Sequence, residues 1–311
     1  MSDRAYCDGR RRRPLVTFVV FAFNQQECIR EAIHAAFSQT YEPLEIILSD
    51  DCSADRTFEI MQEMTSNYHG PHRVRIFKQS QNLGLAHHIN AVSKQISGDL
   101  VVVAAGDDIS EANRTETLAD IFFAYPKTTA IFSNYSTIPE GGDGSAYGIK
   151  NEIVSLTEVI IAGGGVQIGA TYAYKRQCFY WPNPLPGWVQ SEDRVLPLRA
   201  ALLGEVRYSE RKLVRYRTSL NPDGTASTKG RVHGYNNALH FRLLHEHVSA
   251  AKIAKTISPF VAFASHQIIN LLETVVSLRQ GNRLCFLVSK LFFTPLRLIR
   301  KAAVAINSIK Y

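Results

Sequence analysis

Two adjacent carboxylates end an apolar run near residue 105. The apolar stretch 101–105 leads through Gly106 into Asp107 and Asp108. Neighbouring carboxylates repel each other and repel phosphate, but they bind hard cations such as Mg²⁺ or Mn²⁺, which often bridge to the phosphates of a substrate. This pair therefore predicts a site where a divalent cation joins the protein to a phosphorylated ligand.

The first 135 residues alternate between the apolar patterns of strands and of helices. Strands are predicted at 15–23, 44–50, 73–79, 99–105 and 129–134, with helical stripes of apolar residues between them, one of which Ser53 is expected to cap. This order predicts an α/β fold, a mostly parallel sheet with helices on both faces. Such sheets bind ligands beyond the carboxyl ends of their strands, where Asp50, Asp51 and the pair at 107–108 are expected to lie.

Two common nucleotide sites are disfavoured. The segment after the first strand, "FAFNQQE", contains no glycine, and the chain lacks both the dinucleotide-binding and the P-loop patterns. Without a glycine-rich cradle, a diphosphate needs the cation described above.

Composition restricts the class of protein further. The 311 residues are 45% hydrophobic and 20% charged, which is typical of a folded protein. The net charge of +7 comes from seven basic residues after Glu273, a stretch without acids. The body is therefore neutral, and no nucleic-acid partner is expected. Five scattered cysteines favour a reducing compartment, so we expect a cytoplasmic protein.

The second half holds two further candidate sites. A proline-rich loop at 181–188 carries Trp181 and Trp188, whose rings are candidates to stack on an acceptor sugar; the alternative is that both pack in the core. The segment 191–205 is predicted to be a helix with Glu192 and Asp193 at its N-terminus. From about residue 231 the chain is predicted to be helical only.

Four motifs in this order resemble the family-2 glycosyltransferases, which have the GT-A fold. They are the opening at 14–57 with its "SQTY" turn, "NLGLAHHINAV" at 82–92, "GDDI" at 106–109 and "SEDRVLPLRAALLG" at 191–204. The resemblance covers about residues 14–220. It implies transfer of a sugar from a nucleoside-diphosphate-sugar donor to a sugar acceptor, with Mg²⁺ or Mn²⁺ as cofactor.

The resemblance also implies roles for individual residues. Asp51 matches the aspartate that bonds the base, and Asp50 precedes it. Asp107 matches the aspartate near the ribose and the diphosphate, and Asp108 matches the metal ligand. The remaining two donor-binding positions lie in the second motif and are Asn82 and Gly84.

Asp193, with Glu192 beside it, matches the catalytic base of the family. A helix N-terminus lowers the pKa of a carboxylate, whereas burial under a bound sugar raises it. Because the site offers one base and the reaction requires no covalent nucleophile from the protein, we expect direct in-line attack of the acceptor hydroxyl and inversion at the anomeric carbon. The family often has a histidine after a Tyr-Arg pair near the metal, but Thr218 and Ser219 follow here, so water or donor phosphates are expected to complete the metal sphere.

We divide the chain into four parts. Residues 1–13 are a basic flexible tail, 14–110 the nucleotide-sugar-binding half, 111–230 the acceptor-binding half with the base, and 231–311 a basic helical extension. Segment 283–311 of this extension is rich in apolar residues, and all its charged residues are positive. This predicts peripheral contact with the cytoplasmic face of a membrane; the alternative is a helical hairpin packed on the domain.

The expected function is synthesis of cell-surface polysaccharide by hexosyl or N-acetylhexosaminyl transfer to a glycan or to a lipid-linked saccharide. Two alternatives stay open. One is a nucleotidyltransferase that makes sugar nucleotides, although "FAFNQQE" lacks the glycine and the positive charge usual in that class. The other is an inactive module that binds a nucleotide sugar.

Overall fold

The strands and helices of the computed structural model follow the alternation in the sequence. The structure describes residues 13–139, 143–144, 152–163, 165–218 and 237–281. The strands in these ranges are β1 Val16–Ala22, β2 Leu44–Asp50, β3 Arg73–Lys78, β4 Leu100–Ala105, β5 Ile109–Ser110, β6 Thr128–Ile138, β7 Asp143–Gly144, β8 Ile153–Val154, β9 Tyr172–Lys175 and β10 Glu205–Arg217. The α-helices are α1 Ile29–Phe37, α2 Thr57–Ser66, α3 Leu85–Ser93, α4 Arg114–Ala124, α5 Leu156–Ile161, α6 Leu196–Leu203, α7 Asn237–Ile253 and α8 Pro259–Gly281.

One sheet connects the two halves of the chain. Its main strand order is β3-β2-β1-β4-β9-β6-β10-β5, and β7 and β8 pair with β6 and β10. The first four strands are parallel, as are β6 and β10, whereas β9 runs antiparallel between β4 and β6. The predicted α/β fold with a mostly parallel sheet is confirmed, whereas the antiparallel direction of β9 and its place between β4 and β6 were not predicted from the sequence.

Helices cover both faces because the buried strands are apolar on both sides. In β1, Val16, Phe18 and Val20 face the core under α1, α2 and α4, whereas Val19 and Phe21 face the core formed with α3 and the helices from α5 onward. Successive side chains of a strand point to opposite faces, so a strand enclosed on both sides needs apolar residues at almost every position. This burial fixes the carboxyl ends of the central strands at one edge.

Two local expectations were wrong. Ser53 does not cap α2, which begins at Thr57; its hydroxyl instead donates to the carboxylate of Asp50. The segment with Glu192 is a single 3₁₀ turn, Glu192–Arg194, and α6 starts only at Leu196. Pro197 at the start of α6 lacks an N–H and suits the first turn of a helix, which places this start after the acids.

The C-terminal helices α7 and α8 form a hairpin on the face that carries α6. Leu244 and Val248 of α7 and Ile269 of α8 are fully buried in that core. No helix in the described ranges is both long and apolar enough to cross a membrane. The segment 283–311, for which membrane contact is predicted, lies outside the described residues, as does most of the predicted tail at 1–13.

Candidate active site

A cavity of about 500 Å³ opens at the carboxyl ends of β1, β2 and β4. This is the edge where parallel sheets bind ligands. Its walls are partly apolar and partly polar, and they include Phe21, Phe23, Gln25, Asp51, Asn82, Gly84, Leu85, His88, Ala105, Ala170 and Glu192. The cavity thus joins residues of three of the four sequence motifs, and the fourth, which holds the aspartate pair, follows directly on Ala105 of the cavity wall.

Asp51 shapes one wall. Its carboxylate accepts hydrogen bonds from the backbone N–H groups of Leu83 (3.0 Å) and Gly84 (2.9 Å), and Asn82 also accepts from Gly84. Gly84 has a φ of 72°, a left-handed conformation that favours glycine. The carboxylate therefore holds the turn before α3 against the cavity, and each oxygen keeps a lone pair for a ligand.

Asp50 has a different environment from its neighbour. It is fully buried, and its carboxylate accepts from the backbone N–H of Ser53 at 2.9 Å and from the Ser53 hydroxyl. It is not among the residues that line the cavity. The geometry gives Asp50 a part in shaping the loop after β2, and its predicted contact with the donor has no support from its position.

Asp108 offers an unpaired oxygen to a cation. Its Oδ1 accepts from the backbone N–H of Arg217 at 2.8 Å, whereas the buried Oδ2 has no hydrogen-bond partner. Burial, and then the charge of Asp107, raise the pKa of Asp108 to about 7. A buried, unpaired carboxylate oxygen beside a second carboxylate is costly unless a cation neutralises it, so these residues fit Mg²⁺ or Mn²⁺. No group of three or more candidate metal-binding side chains occurs in the described part of the chain.

Two arginines support the aspartate turn. The Nε of Arg217 donates to the backbone oxygen of Asp107 at 2.9 Å, and its Nη2 donates to Glu31 at 3.1 Å. Arg114 is fully buried behind the turn, where burial lowers the pKa of its guanidinium to about 9 although the charge of Asp108 favours the charged form.

Arg114 also joins the two halves of the site. Its Nη2 donates to the backbone oxygens of Val103 in β4 (2.8 Å) and of Ala170 (2.6 Å). Ala170 belongs to a short 3₁₀ turn, Gly169–Thr171, directly before β9. The aspartate strand and the turn that contacts the Glu192–Asp193 pair are therefore held by one side chain.

Glu192 and Asp193 lie against this turn. Ser191 and the backbone N–H of Gly169 lie near the carboxylate of Asp193 and favour its ionised form, while Glu192 lines the cavity. A side chain does not fit at Gly169, because a Cβ there would overlap Oε1 of Glu192. Burial, and then the charge of Asp193, raise the pKa of Glu192 to about 8, and burial raises that of Asp193. Burial therefore outweighs the expected lowering by a helix N-terminus, since α6 begins after both residues.

The aspartates at 107–108 and Asp193 all affect the same tyrosine, Tyr216. Burial is the main reason that the pKa of Tyr216 rises to about 12, and the charges of Asp108, Asp107 and Asp193 add to this rise. The aspartate turn and Asp193 are therefore both close enough to Tyr216 for their charges to act on its hydroxyl.

The proline-rich loop is attached to α3 rather than free. The side chain of Asn90 donates to the backbone oxygen of Leu185 at 2.7 Å and accepts from its N–H at 2.8 Å. Trp181 is half-buried and packs edge-on against His247 of α7, whereas Trp188 is 37% exposed. Neither ring lines the cavity, so an acceptor contact remains a prediction, and the exposed Trp188 is the stronger candidate.

Sequence reasoning missed several residues of the site. Burial raises the pKa of Asp107 and the nearby Gln25 side chain opposes this rise, and Gly106 makes room for the Gln25 amide. His88 lies in the cavity wall, bonds the hydroxyl of Ser49 at 2.7 Å and has a pKa lowered by burial. One feature of the sequence could have drawn attention to Arg114, because it is an arginine among the apolar positions of a predicted helix. No such feature marked Gln25 or His88.

Comparisons with known proteins find similarity to glycosyltransferases. Residues 17–159 match the sequence profile described as glycosyl transferase family 2. A relative from Escherichia coli, the UDP-Glc:alpha-D-GlcNAc-diphosphoundecaprenol beta-1,3-glucosyltransferase WfaP, is 26% identical over 191 residues, which are 58% of this chain and 73% of that protein.

Two solved structures are similar in fold. Residues 1–349 of S. aureus TarS superpose with a TM-score of 0.64 at 15% identity, over 86% of this chain and 73% of that one. That protein has also been solved with UDP and with UDP-GlcNAc. A mannosyltransferase from Pyrobaculum calidifontis in complex with GDP-Man and Mn²⁺ gives a TM-score of 0.52 at 18% identity, over 95% and 81% of the two chains. The GT-A type of fold expected from the four motifs is confirmed.

Proposed function

We propose that this chain, whose residues 17–159 match glycosyl transferase family 2, is a glycosyltransferase that uses a nucleoside-diphosphate sugar and a divalent cation, inverts the anomeric carbon, and transfers a hexosyl or N-acetylhexosaminyl group. The single observation that carries the proposal is the unpaired, buried Oδ2 of Asp108 beside a cavity that also contains Asp51 and Glu192. The acceptor is a glycan or a lipid-linked saccharide of a cell-surface polysaccharide, as the name of the E. coli relative suggests.

The donor is expected to lie across the edge of the sheet. Asp51 and the turn with Asn82 and Gly84 contact the base, and Phe21 and Leu85 supply apolar wall. Asp107 and Asp108 would hold the cation. When bound, that cation offsets the charge that develops on the departing diphosphate. Arg217 keeps the aspartate turn in place through its bonds to both aspartates.

Asp193 takes the proton of the acceptor hydroxyl. Burial raises the pKa of Asp193, whereas the charge of Arg194 and the nearby Ser191 and Gly169 favour the ionised form that a base needs. The pKa of Glu192 is raised to about 8, first by burial and then by the charge of Asp193. Two close carboxyls disfavour a second negative charge. A protonated Glu192 in the cavity wall can donate a hydrogen bond to a sugar hydroxyl.

Turnover of a donor panel tests the proposal. UDP-, GDP- and dTDP-sugars would be incubated with the full chain and Mn²⁺ or Mg²⁺, and release of nucleoside diphosphate would be measured. We expect cation-dependent release for one donor class, and a loss of about 10²–10⁴-fold in Asp193→Asn, the range for removal of a general base. Asp108→Asn should lose the cation dependence.

Asp120→Asn is the matched control, because Asp120 is an exposed acid on α4 whose side chain is 68% exposed. It should turn over like the wild type. Binding of a donor without release by the wild type would instead indicate an inactive binding module, and incorporation of a nucleoside triphosphate would indicate a nucleotidyltransferase.

A further inference from the structure

The most exposed large apolar side chains are concentrated at one turn. Among the described residues, Ile253, Phe263 and Phe260 are the three most exposed of this kind, at 82%, 63% and 62%, and the next is Tyr180 at 47%. All three belong to residues 252–263, which connect α7 to α8 and are called the hairpin tip below. A concentration of exposed apolar groups in a small region marks a contact surface.

The tip is a defined structure. The N–H of Thr256 donates to the oxygen of Ala251 (3.0 Å) and that of Lys255 to Lys252 (3.1 Å), the pattern of a Schellman motif at the end of α7. The hydroxyl of Ser258 then accepts from Val261 at 3.2 Å and caps α8. Both helix ends are therefore closed by hydrogen bonds, and the turn presents its apolar side chains in a fixed arrangement.

The exposure does not come from an undocked hairpin. Ala251 and Ala262, on either side of the turn, are 0% and 1% exposed, and Ile257 packs against the same core. Phe260 and Phe263 are three residues apart on α8, so they share one face of this helix, opposite the docked one. The tip is thus anchored on its inner side and apolar on its outer side.

The two charged residues of the tip, Lys252 and Lys255, are both positive. The nearest acids in the sequence are Glu246 and Glu273, which line one groove together with Ile253. Lys255 has a φ of 56°, a left-handed conformation that a glycine would adopt at less cost. This turn residue therefore adds a second positive charge to the tip.

We propose that the hairpin tip is a docking site for an anionic lipid surface, with Phe260, Phe263 and Ile253 inserted among the lipids and Lys252 and Lys255 at the headgroups. Apolar side chains with flanking lysines are the combination that binds membrane interfaces. The tip lies at the far end of α7 from His240, which adjoins Gly163 and Arg194. At 1.5 Å per residue, docking there would hold the segment with Asp193 roughly 20 Å from the lipid.

Charge and size disfavour two other occupants. A symmetric contact with a second copy would bring the lysines of both tips together, and the sequence after Glu273 is also free of acids and would be repelled. Three apolar side chains are, in addition, well short of the roughly 800 Å² that each partner buries in a stable protein interface.

The inference deepens the proposed function by naming how a lipid-linked acceptor would be reached, but its test needs no donor. Co-sedimentation of the full chain would be measured with vesicles of phosphatidylcholine alone and with about one third phosphatidylglycerol. We expect binding to the anionic vesicles. Phe260→Ser and Phe263→Ser should each weaken it about ten-fold, from the free energy of burying an aromatic side chain. Lys252→Gln should weaken it about five-fold.

Ile153→Ser is the matched control, since Ile153 is an exposed apolar residue, at 45%, in β8 far along the chain from the tip. It should bind like the wild type. Thermal unfolding would show that the tip variants are folded, and donor turnover in solution, where established, should be unchanged in them.

Three results would overturn the proposal. The first is a wild type that does not bind anionic vesicles, and the second is equal binding by the wild type and both phenylalanine variants. The third is a dimer in analytical ultracentrifugation that Phe263→Ser converts to a monomer, which would assign the tip to a second copy. A chain without turnover that still binds through the tip would refute the proposed function alone.

Discussion

Replacement of Glu192 by glutamine should change how stability depends on pH. The ordinary pKa of 4.5 applies in the unfolded chain, and burial beside Asp193 raises it to about 8 in the folded state. The folded protein therefore holds a proton between these values that the unfolded chain has lost. Stability must fall as pH rises across this window, by about 1.4 kcal/mol for each pH unit.

The size of the effect follows from the two pKa values. Between pH 4.5 and pH 8 the contribution of Glu192 amounts to a loss on the order of 4–5 kcal/mol. Glu192→Gln keeps the shape of the protonated acid and has no proton to lose. At pH 5 we expect the variant and the wild type to be about equally stable, and at pH 8 the variant should be the more stable by several kcal/mol.

Urea denaturation at pH 5, 6, 7 and 8 measures this difference directly. Glu59→Gln is the control, because Glu59 is exposed and its hydrogen bond to Arg56 lowers its pKa, so this change cannot remove a fall between pH 5 and pH 8. Parallel curves for Glu192→Gln and the wild type would refute the claim that the cavity wall holds a neutral glutamic acid.

Three further substitutions probe the supports of the site. Gly169→Ala should displace the Glu192 carboxylate and lower donor turnover at least ten-fold while the melting temperature changes little, since only the end of a side chain must move. Asn90→Ala leaves the N–H and oxygen of Leu185 unpaired, which should cost about 1–3 kcal/mol in denaturation and increase cleavage of the loop in limited proteolysis. Arg114→Met removes a buried cation from several carbonyl partners and should cost at least about 3 kcal/mol; an unchanged urea midpoint would contradict its role as a link between the two halves.

The sheet could be predicted because its strands are enclosed on both faces. An uninterrupted apolar run such as that in β4 predicts a buried strand, and the Gly106 and carboxylates that follow it predict where the strand ends. Both predictions need only neighbouring residues. The same logic placed Asp51 and Asp108 at one edge. The insertion of β9 between β4 and β6 depends on contacts between residues about 40 to 75 positions apart, and no local pattern records them.

The supports of the site are long-range for the same reason. Arg217 bonds the aspartate turn from a position about 110 residues later in the sequence. Arg114 bonds the backbone oxygen of Ala170, a group that every residue type has, so the sequence does not mark this contact. The start of α6 was placed too early because acids at 192–193 have the composition of a first helical turn. The structure uses them beside the cavity, where burial determines their charge.

Manganese anomalous scattering from crystals of the full chain grown with Mn²⁺ and a nucleoside diphosphate tests the central claim most directly. The account predicts one anomalous peak at coordination distance from Oδ2 of Asp108, with the diphosphate against it, the base against Asp51, and Asp193 facing the same cavity. A nucleotide bound elsewhere, or bound in this cavity with no manganese at Asp108, would contradict it.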